Sequence, residues 1–140
     1  MAKILIADDS PVQVHLFSTC LTNKGFEVVV ASDALQAWLT ALRAAPDAII
    51  LDINMPGGSG IEVLRKLGLS IKTQHIPVVV VSASDKPEVR TMVTSMGAAA
   101  FLAKPVNLDQ LCNVLIHGLR PTVRSVAEPR AVEANVLGGV

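Results

Sequence analysis

Four consecutive valines, Val78–Val81, lie within the run Ile76–Val81, and no other stretch constrains the fold as tightly. β-Branched side chains on both faces of one short segment suit a strand covered from both sides. Such strands belong to parallel sheets sandwiched between two layers of helix. The run ends at Ser82-Ala83-Ser84-Asp85, and a helix is expected from about Lys86 to Met96, stopped by Gly97.

The same strand-then-helix unit recurs along the chain. Lys3–Ala7 is a short apolar strand ending at Asp8-Asp9; Ser10 then supplies a hydroxyl N-cap, with Pro11 at the first helical position. Val12, Leu16, Thr19, Cys20 and Asn23 are expected to line one face of that helix, which Gly25 closes. Glu27–Ala31 is a second strand, and Ser32-Asp33 caps a helix reaching about Leu42 with Leu35, Trp38, Leu39 and Leu42 inward. Ala48–Leu51 is a third strand, followed by the loop 52–60 and a helix marked by Ile61, Leu64 and Leu67. After the Ile76–Val81 unit, Ala99–Ala103 is a fifth strand. Asn107 or Asp109 opens a last helix carrying Leu108, Leu111, Cys112, Leu115 and Ile116. Five alternations with short connections predict an α/β doubly wound fold, its parallel strands joined by right-handed crossovers.

Composition agrees. The 140 residues are 51% hydrophobic, yet no apolar run approaches the roughly 18 residues that span a bilayer, so the excess belongs in a core and no membrane insertion is expected. Twelve basic and twelve acidic residues balance, and only four aromatics occur, Phe17, Phe26, Phe101 and Trp38. Neither a basic field nor a stacking platform recommends direct nucleic-acid binding. The amino terminus reaches Asp8 too soon for a secretory signal, so a cytoplasmic protein is expected. Cys20 and Cys112 fall in helical patterns and read as buried free thiols.

Polar groups collect where strands end: Asp8 and Asp9 after the first, Asp52 after the third, Ser82 after the fourth, Lys104 after the fifth. A doubly wound sheet brings these ends to one edge, where its ligands bind. Crowded carboxylates repel, and a hard divalent cation relieves them. A carboxylate beside such a cation can attack a phosphoryl group, and a hydroxyl and an ammonium can hold the phosphoryl oxygens. His15, His75 and His117 lie in helix or loop positions away from these ends, so no hydrolytic triad is indicated.

Four words in order carry a family resemblance: Ile-Leu-Ile-Ala-Asp-Asp-Ser, Pro-Asp-Ala-Ile-Ile-Leu-Asp-Ile-Asn-Met-Pro-Gly, Ile-Pro-Val-Val-Val-Val-Ser-Ala and Gly-Ala-Ala-Ala-Phe-Leu-Ala-Lys-Pro. Over residues 1–118 the chain resembles the receiver domain of two-component response regulators. The resemblance implies a flavodoxin-like (βα)5 fold with strand order 2-1-3-4-5. It implies Asp52 as phosphoacceptor and Mg²⁺, or Mn²⁺ in its place, held by Asp9, Asp52 and the backbone carbonyl of Asn54, with Asp8 acting on the metal mostly through water. Ser82 would contact the phosphoryl group and Lys104 would pair with it. Phe101 would be the switch aromatic, and the Lys104–Pro105 bond would be cis. Ser84 and the Asn54 side chain flank the site and would tune phosphate lifetime. Ala99-Ala100 departs from the acidic residues of many relatives, and the last helix lacks the arginines of a charge-paired dimer, so a monomer or weak dimer is expected.

The implied function is a signalling phosphoacceptor rather than a turnover enzyme. It would be charged by a sensor histidine kinase or a histidine phosphotransfer protein and would present the fourth helix, fifth strand and fifth helix to a downstream protein. Two alternatives stay open: the receiver input of a longer regulator, and a Mg²⁺-dependent phosphohydrolase using Asp52. Residues 119–140 read as a tail or linker.

Overall fold

The computed structural model describes residues 1–57 and 59–119. Strand and helix alternate throughout: β1 (Lys3–Ala7), α1 (Pro11–Asn23), β2 (Glu27–Ala31), α2 (Ala34–Ala44), β3 (Ala48–Asp52), α3 (Gly60–Leu69), β4 (Val78–Ser82), α4 (Pro87–Ser95), β5 (Ala100–Ala103) and α5 (Leu108–Gly118). All strand pairs are parallel, in the order β2-β1-β3-β4-β5. That is the expected doubly wound arrangement.

Side chains alternate across each strand, and the two sets build separate apolar layers. Leu5, Ile49, Leu51, Val78, Val80 and Phe101 face α2, α3 and α4. Ile4, Ile6, Ile50, Val79, Val81 and Leu102 face α1 and α5. β3 and β4 are buried along their whole length. The valine run is thus a strand covered from both sides.

Helix starts follow local chemistry. The Ser10 hydroxyl accepts from the Gln13 N–H at 3.3 Å with Pro11 just inside, and Asp33 accepts from Gln36 at 2.8 Å. Of the two candidates for opening α5, Asn107 is the cap, accepting from Gln110 at 2.9 Å.

Three expectations about packing are corrected. On α1 the inward residues are Phe17 and Leu21, with Val14 partly buried, whereas Val12 and Leu16 are 69% and 45% exposed. Apolar residues occur on both faces of this helix, and the bulky Phe17, with more surface to remove from water, takes the core. On α2 the buried residues are Ala34, Ala37 and Ala41, not the leucine stripe; Leu35 is exposed and Trp38 packs at the layer's margin. Small residues let α2 lie close against the sheet and α3, and the larger side chains splay around that contact. Likewise Ile116 of α5 is exposed rather than inward. The fourth strand begins at Val78, not Ile76, because Pro77 has no N–H for the ladder, although its carbonyl accepts from the Ile49 N–H at 3.0 Å. The expected tail lies, from Arg120 onward, outside the described residues.

Candidate functional site

Strand register brings the polar ends together. Ala7 pairs with Leu51, so Asp8, one step on, stands beside Asp52, the last residue of β3. Ser82 ends β4 opposite Ala103, and the Lys104 N–H donates to the Ser82 carbonyl at 2.8 Å. Four strands thus deliver Asp8, Asp52, Ser82 and Lys104 to one edge of the sheet.

The charged groups touch there. The Lys104 ammonium donates to Asp52 Oδ2 at 3.2 Å and lies 3.8 Å from Asp8 Oδ2. Asp52 Oδ1 accepts from the Asn54 N–H at 3.0 Å. Asp8, Asp9 and Asp52 each offer a carboxylate oxygen, and these three oxygens lie within 4.8 Å of one another. Asp8 and Asp52 are buried and Asp9 is exposed, so the cluster opens to solvent on the Asp9 side.

Asp8 is the strained member. Its Oδ1 accepts from the Ser10 N–H at 2.9 Å, but its buried Oδ2 has no hydrogen-bond partner. Burial raises its carboxyl above the ordinary value; the Ser10 N–H opposes this, the Asp52 charge adds to it, and Lys104 partly offsets it. An orphaned buried carboxylate oxygen facing two other carboxylates is a donor set for a hard cation with oxygen preference, and Mg²⁺ fits it.

The remaining expected residues surround this centre. Ser82 is fully buried and its hydroxyl accepts from the Ser84 N–H at 3.1 Å; the Ser84 hydroxyl in turn accepts from Lys86 at 3.3 Å. The Asn54 side chain is exposed at the rim. Phe101 stands apart from the carboxylates, 8% exposed on β5, with the Arg90 guanidinium of α4 4.6 Å from its ring centroid. The Lys104–Pro105 bond is cis.

Two features escaped sequence reasoning. A Cβ on Gly60, at the start of α3, would collide with Ile53 Cα and stand 2.9 Å from the Asp52 carbonyl oxygen, so only glycine lets α3 begin against the strand that carries Asp52. Its neighbours in Met-Pro-Gly-Gly-Ser-Gly read as turn residues, which hides a packing role. Arg90 over Phe101 is the other; nothing in the spacing of these two residues signals it.

A doubly wound domain with an acidic, lysine-bearing edge defines the class of this protein. The chain belongs to the response regulator receiver domain family, whose model matches residues 4–116. This makes it a signalling domain of two-component systems. It is 32% identical over 115 residues to the protein PilH of Pseudomonas aeruginosa, covering 82% of this chain and 95% of that one. It is 42% identical over 106 residues to the response regulator PleD of Caulobacter vibrioides, covering 76% of this chain but only 23% of PleD. Among solved structures it is similar to the chemotaxis response regulator CheY4 of Vibrio cholerae, with a TM-score of 0.79, 32% identity and coverage of 85% and 99% of the two chains. It is also similar to the receiver domain of a sensor histidine kinase of Pseudomonas aeruginosa, whose active-site cleft holds a magnesium ion. That match has a TM-score of 0.78 and 25% identity and covers 84% and 97% of the two chains.

Proposed function

We propose that this receiver domain is a phosphoacceptor, taking a phosphoryl group on Asp52 from a phosphohistidine of a sensor histidine kinase or a histidine phosphotransfer protein. The observation that carries the reading is the Lys104 ammonium set between Asp52 and Asp8, 3.2 and 3.8 Å away, beside a three-carboxylate cluster. One Asp52 oxygen attacks phosphorus, the P–N bond breaks, and the imidazole leaves with the electron pair. An acyl phosphate remains on Asp52.

Each neighbour has a task in that exchange. Asp9, Asp52 and the Asn54 carbonyl would hold Mg²⁺ directly and Asp8 mostly through water, with Mn²⁺ as an alternative ion. When bound, the ion offsets the charge of the carboxylates and of the phosphoryl oxygens. The Asn54 N–H and Lys104 orient the Asp52 carboxylate. Lys104 then follows the charge onto the phosphoryl group, and the Ser82 hydroxyl leaves the Ser84 N–H to bind a phosphoryl oxygen. That movement vacates space toward β5, where Phe101 changes position and alters the α4-β5-α5 face for a downstream protein. Ser84 and the Asn54 side chain govern water's approach to the phosphate. The domain acts as a cytoplasmic monomer or weak dimer, a switch with no separate substrate to turn over. No helix among the described residues is long and apolar enough to cross a membrane.

Incubation with acetyl phosphate and Mg²⁺ should add one phosphoryl mass to the intact protein. The adduct should be absent in EDTA and absent in Asp52→Asn. Undiminished labelling of Asp52→Asn overturns the assignment. The match to 23% of PleD favours a second reading, in which the same domain is the input portion of a longer regulator. A reading frame that continues past Val140 into an output domain is its test.

A further inference from the structure

Phosphoryl chemistry at Asp52 uses neither cysteine, yet the two sulfurs meet. Cys20 on α1 and Cys112 on α5 are 92 positions apart, and their Sγ atoms lie 3.2 Å from each other. Both are free thiols, Cys20 half-buried and Cys112 3% exposed in the layer with Phe17, Leu111 and Leu115. We propose that Cys20 and Cys112 are a redox pair that forms a reversible disulfide tying α1 to α5.

Geometry supports the bond. A disulfide holds its sulfurs about 2.05 Å apart, so these two need close only by about 1.2 Å. That is a distance on the scale of side-chain torsion. The helices already pack on one face of the sheet, so the second thiol waits at contact distance and ring closure is intramolecular.

The two thiols have different parts. Burial, with Cys20 alongside, pushes the Cys112 thiol up to about 11, which keeps it protonated, and the same burial leaves it little exposed. Cys20 is the thiol an external disulfide oxidant can reach. Its thiolate attacks one sulfur of oxidised glutathione, expelling one glutathione thiolate and leaving a mixed disulfide on Cys20. That thiolate takes up a proton. Cys112 Sγ then attacks Cys20 Sγ and expels the second glutathione as a thiolate, which takes up the proton that Cys112 gives up. Two protein thiols are oxidised to one disulfide, and one oxidised glutathione is reduced to two molecules of the thiol. This chemistry is independent of whether Asp52 is the phosphoacceptor.

The test is a titration of the full chain through glutathione buffers of increasing oxidation. Samples are acid-quenched, alkylated in denaturant and weighed intact. Both alkylation sites should disappear together, leaving a monomer two hydrogens lighter with no retained glutathione, and dithiothreitol should restore both. Cys112→Ser should stop at a single glutathione adduct on Cys20, and Cys20→Ser should keep its remaining thiol unmodified in the native state. Two thiols that persist through the whole titration overturn the proposal, as does separate glutathionylation of both or a bond between two chains. The wild-type titration decides even where a serine variant fails to fold. The thermal midpoint of the oxidised wild type should exceed that of the reduced form; a lower one overturns the claim that the bond joins the native helices.

Discussion

Asp8→Asn tests the electrostatics of the site with little change of shape. Three carboxylates and one ammonium leave the cluster with a formal charge of −2, and buried Asp8 Oδ2 has no hydrogen-bond partner, with the Lys104 ammonium 3.8 Å away. Oδ1 must remain an oxygen because it accepts from the Ser10 N–H, so the new amide nitrogen takes the place of Oδ2 and presents a donor toward Asp52. Relieving an unsatisfied buried group is worth about 1–3 kcal/mol. At roughly 2.1 cal/mol/K per residue, a domain of about 120 residues gains about 4 °C per kcal/mol, so the variant should melt about 4–12 °C above wild type in EDTA. Mg²⁺ should cancel most or all of that advantage: an ion at 100 times its Kd adds about 2.7 kcal/mol, close to 11 °C, to wild type and less to a variant lacking one of the carboxylates around it. The pH dependence has a definite sign. Because the folded carboxyl is raised, its penalty is present in full above the folded pKa, is relieved as pH falls through it, and is gone below the ordinary value of 3.8. The variant's advantage in EDTA should therefore shrink on acidification. Melting followed by circular dichroism with and without Mg²⁺, at neutral and acid pH, measures all three effects. An equal or lower midpoint for Asp8→Asn in EDTA would refute the idea that Asp8 is held in strain.

Other perturbations separate the roles of neighbouring parts. Gly60→Ala should cost about 1–3 kcal/mol in denaturant unfolding, since its Cβ meets Ile53 and the Asp52 carbonyl, and should weaken Mg²⁺ binding as the loop moves. Unchanged Mg²⁺ affinity would mean that α3 absorbs the shift instead. Lys104→Met takes the formal charge of the cluster from −2 to −3, so calorimetry should find tighter Mg²⁺ binding while labelling by acetyl phosphate slows about 100-fold. A parallel fall in both would contradict the assigned role of the ammonium. Phe101→Ala should cost about 3 kcal/mol by cavity formation and Arg90→Ala less than about 1 kcal/mol. In the Phe101→Ala background the Arg90 substitution should cost nothing, which a double-mutant cycle reads directly.

The site was more legible in the sequence than the packing around it, and the reason lies in periodicity. A strand repeats every two residues and ends where its hydrogen-bond ladder ends, so a polar residue just past an apolar run has only one edge to occupy. Asp8, Asp52, Ser82 and Lys104 could be gathered on paper because each follows such a run, and register does the rest. Their unequal surroundings could not be read this way. Asp8 and Asp9 are adjacent and chemically alike, yet one is buried with an orphaned oxygen and the other is exposed. Which of two neighbours is covered depends on what packs around the strand end, a tertiary property.

Helix faces are harder because an apolar residue on a helix has many neighbours at permitted spacing. α1 carries Val12 and Leu16 on one side and Val14, Phe17 and Leu21 on the other, and pattern alone does not choose between them. Volume chooses: the layer between α1, α5 and the sheet takes Phe17, and the helix rotates to deliver it. The same rotation fixes where Cys20 sits. With Phe17 and Leu21 inward, Cys20 falls at the margin facing α5, opposite Cys112. The cysteine contact and the exposure of Val12 and Leu16 are therefore two consequences of one packing decision. Shrinking Phe17 to alanine should disturb both, lowering stability by about 3–5 kcal/mol and slowing ring closure between the sulfurs. If the disulfide forms at an unchanged rate in that variant, some contact other than Phe17 sets the phase of α1.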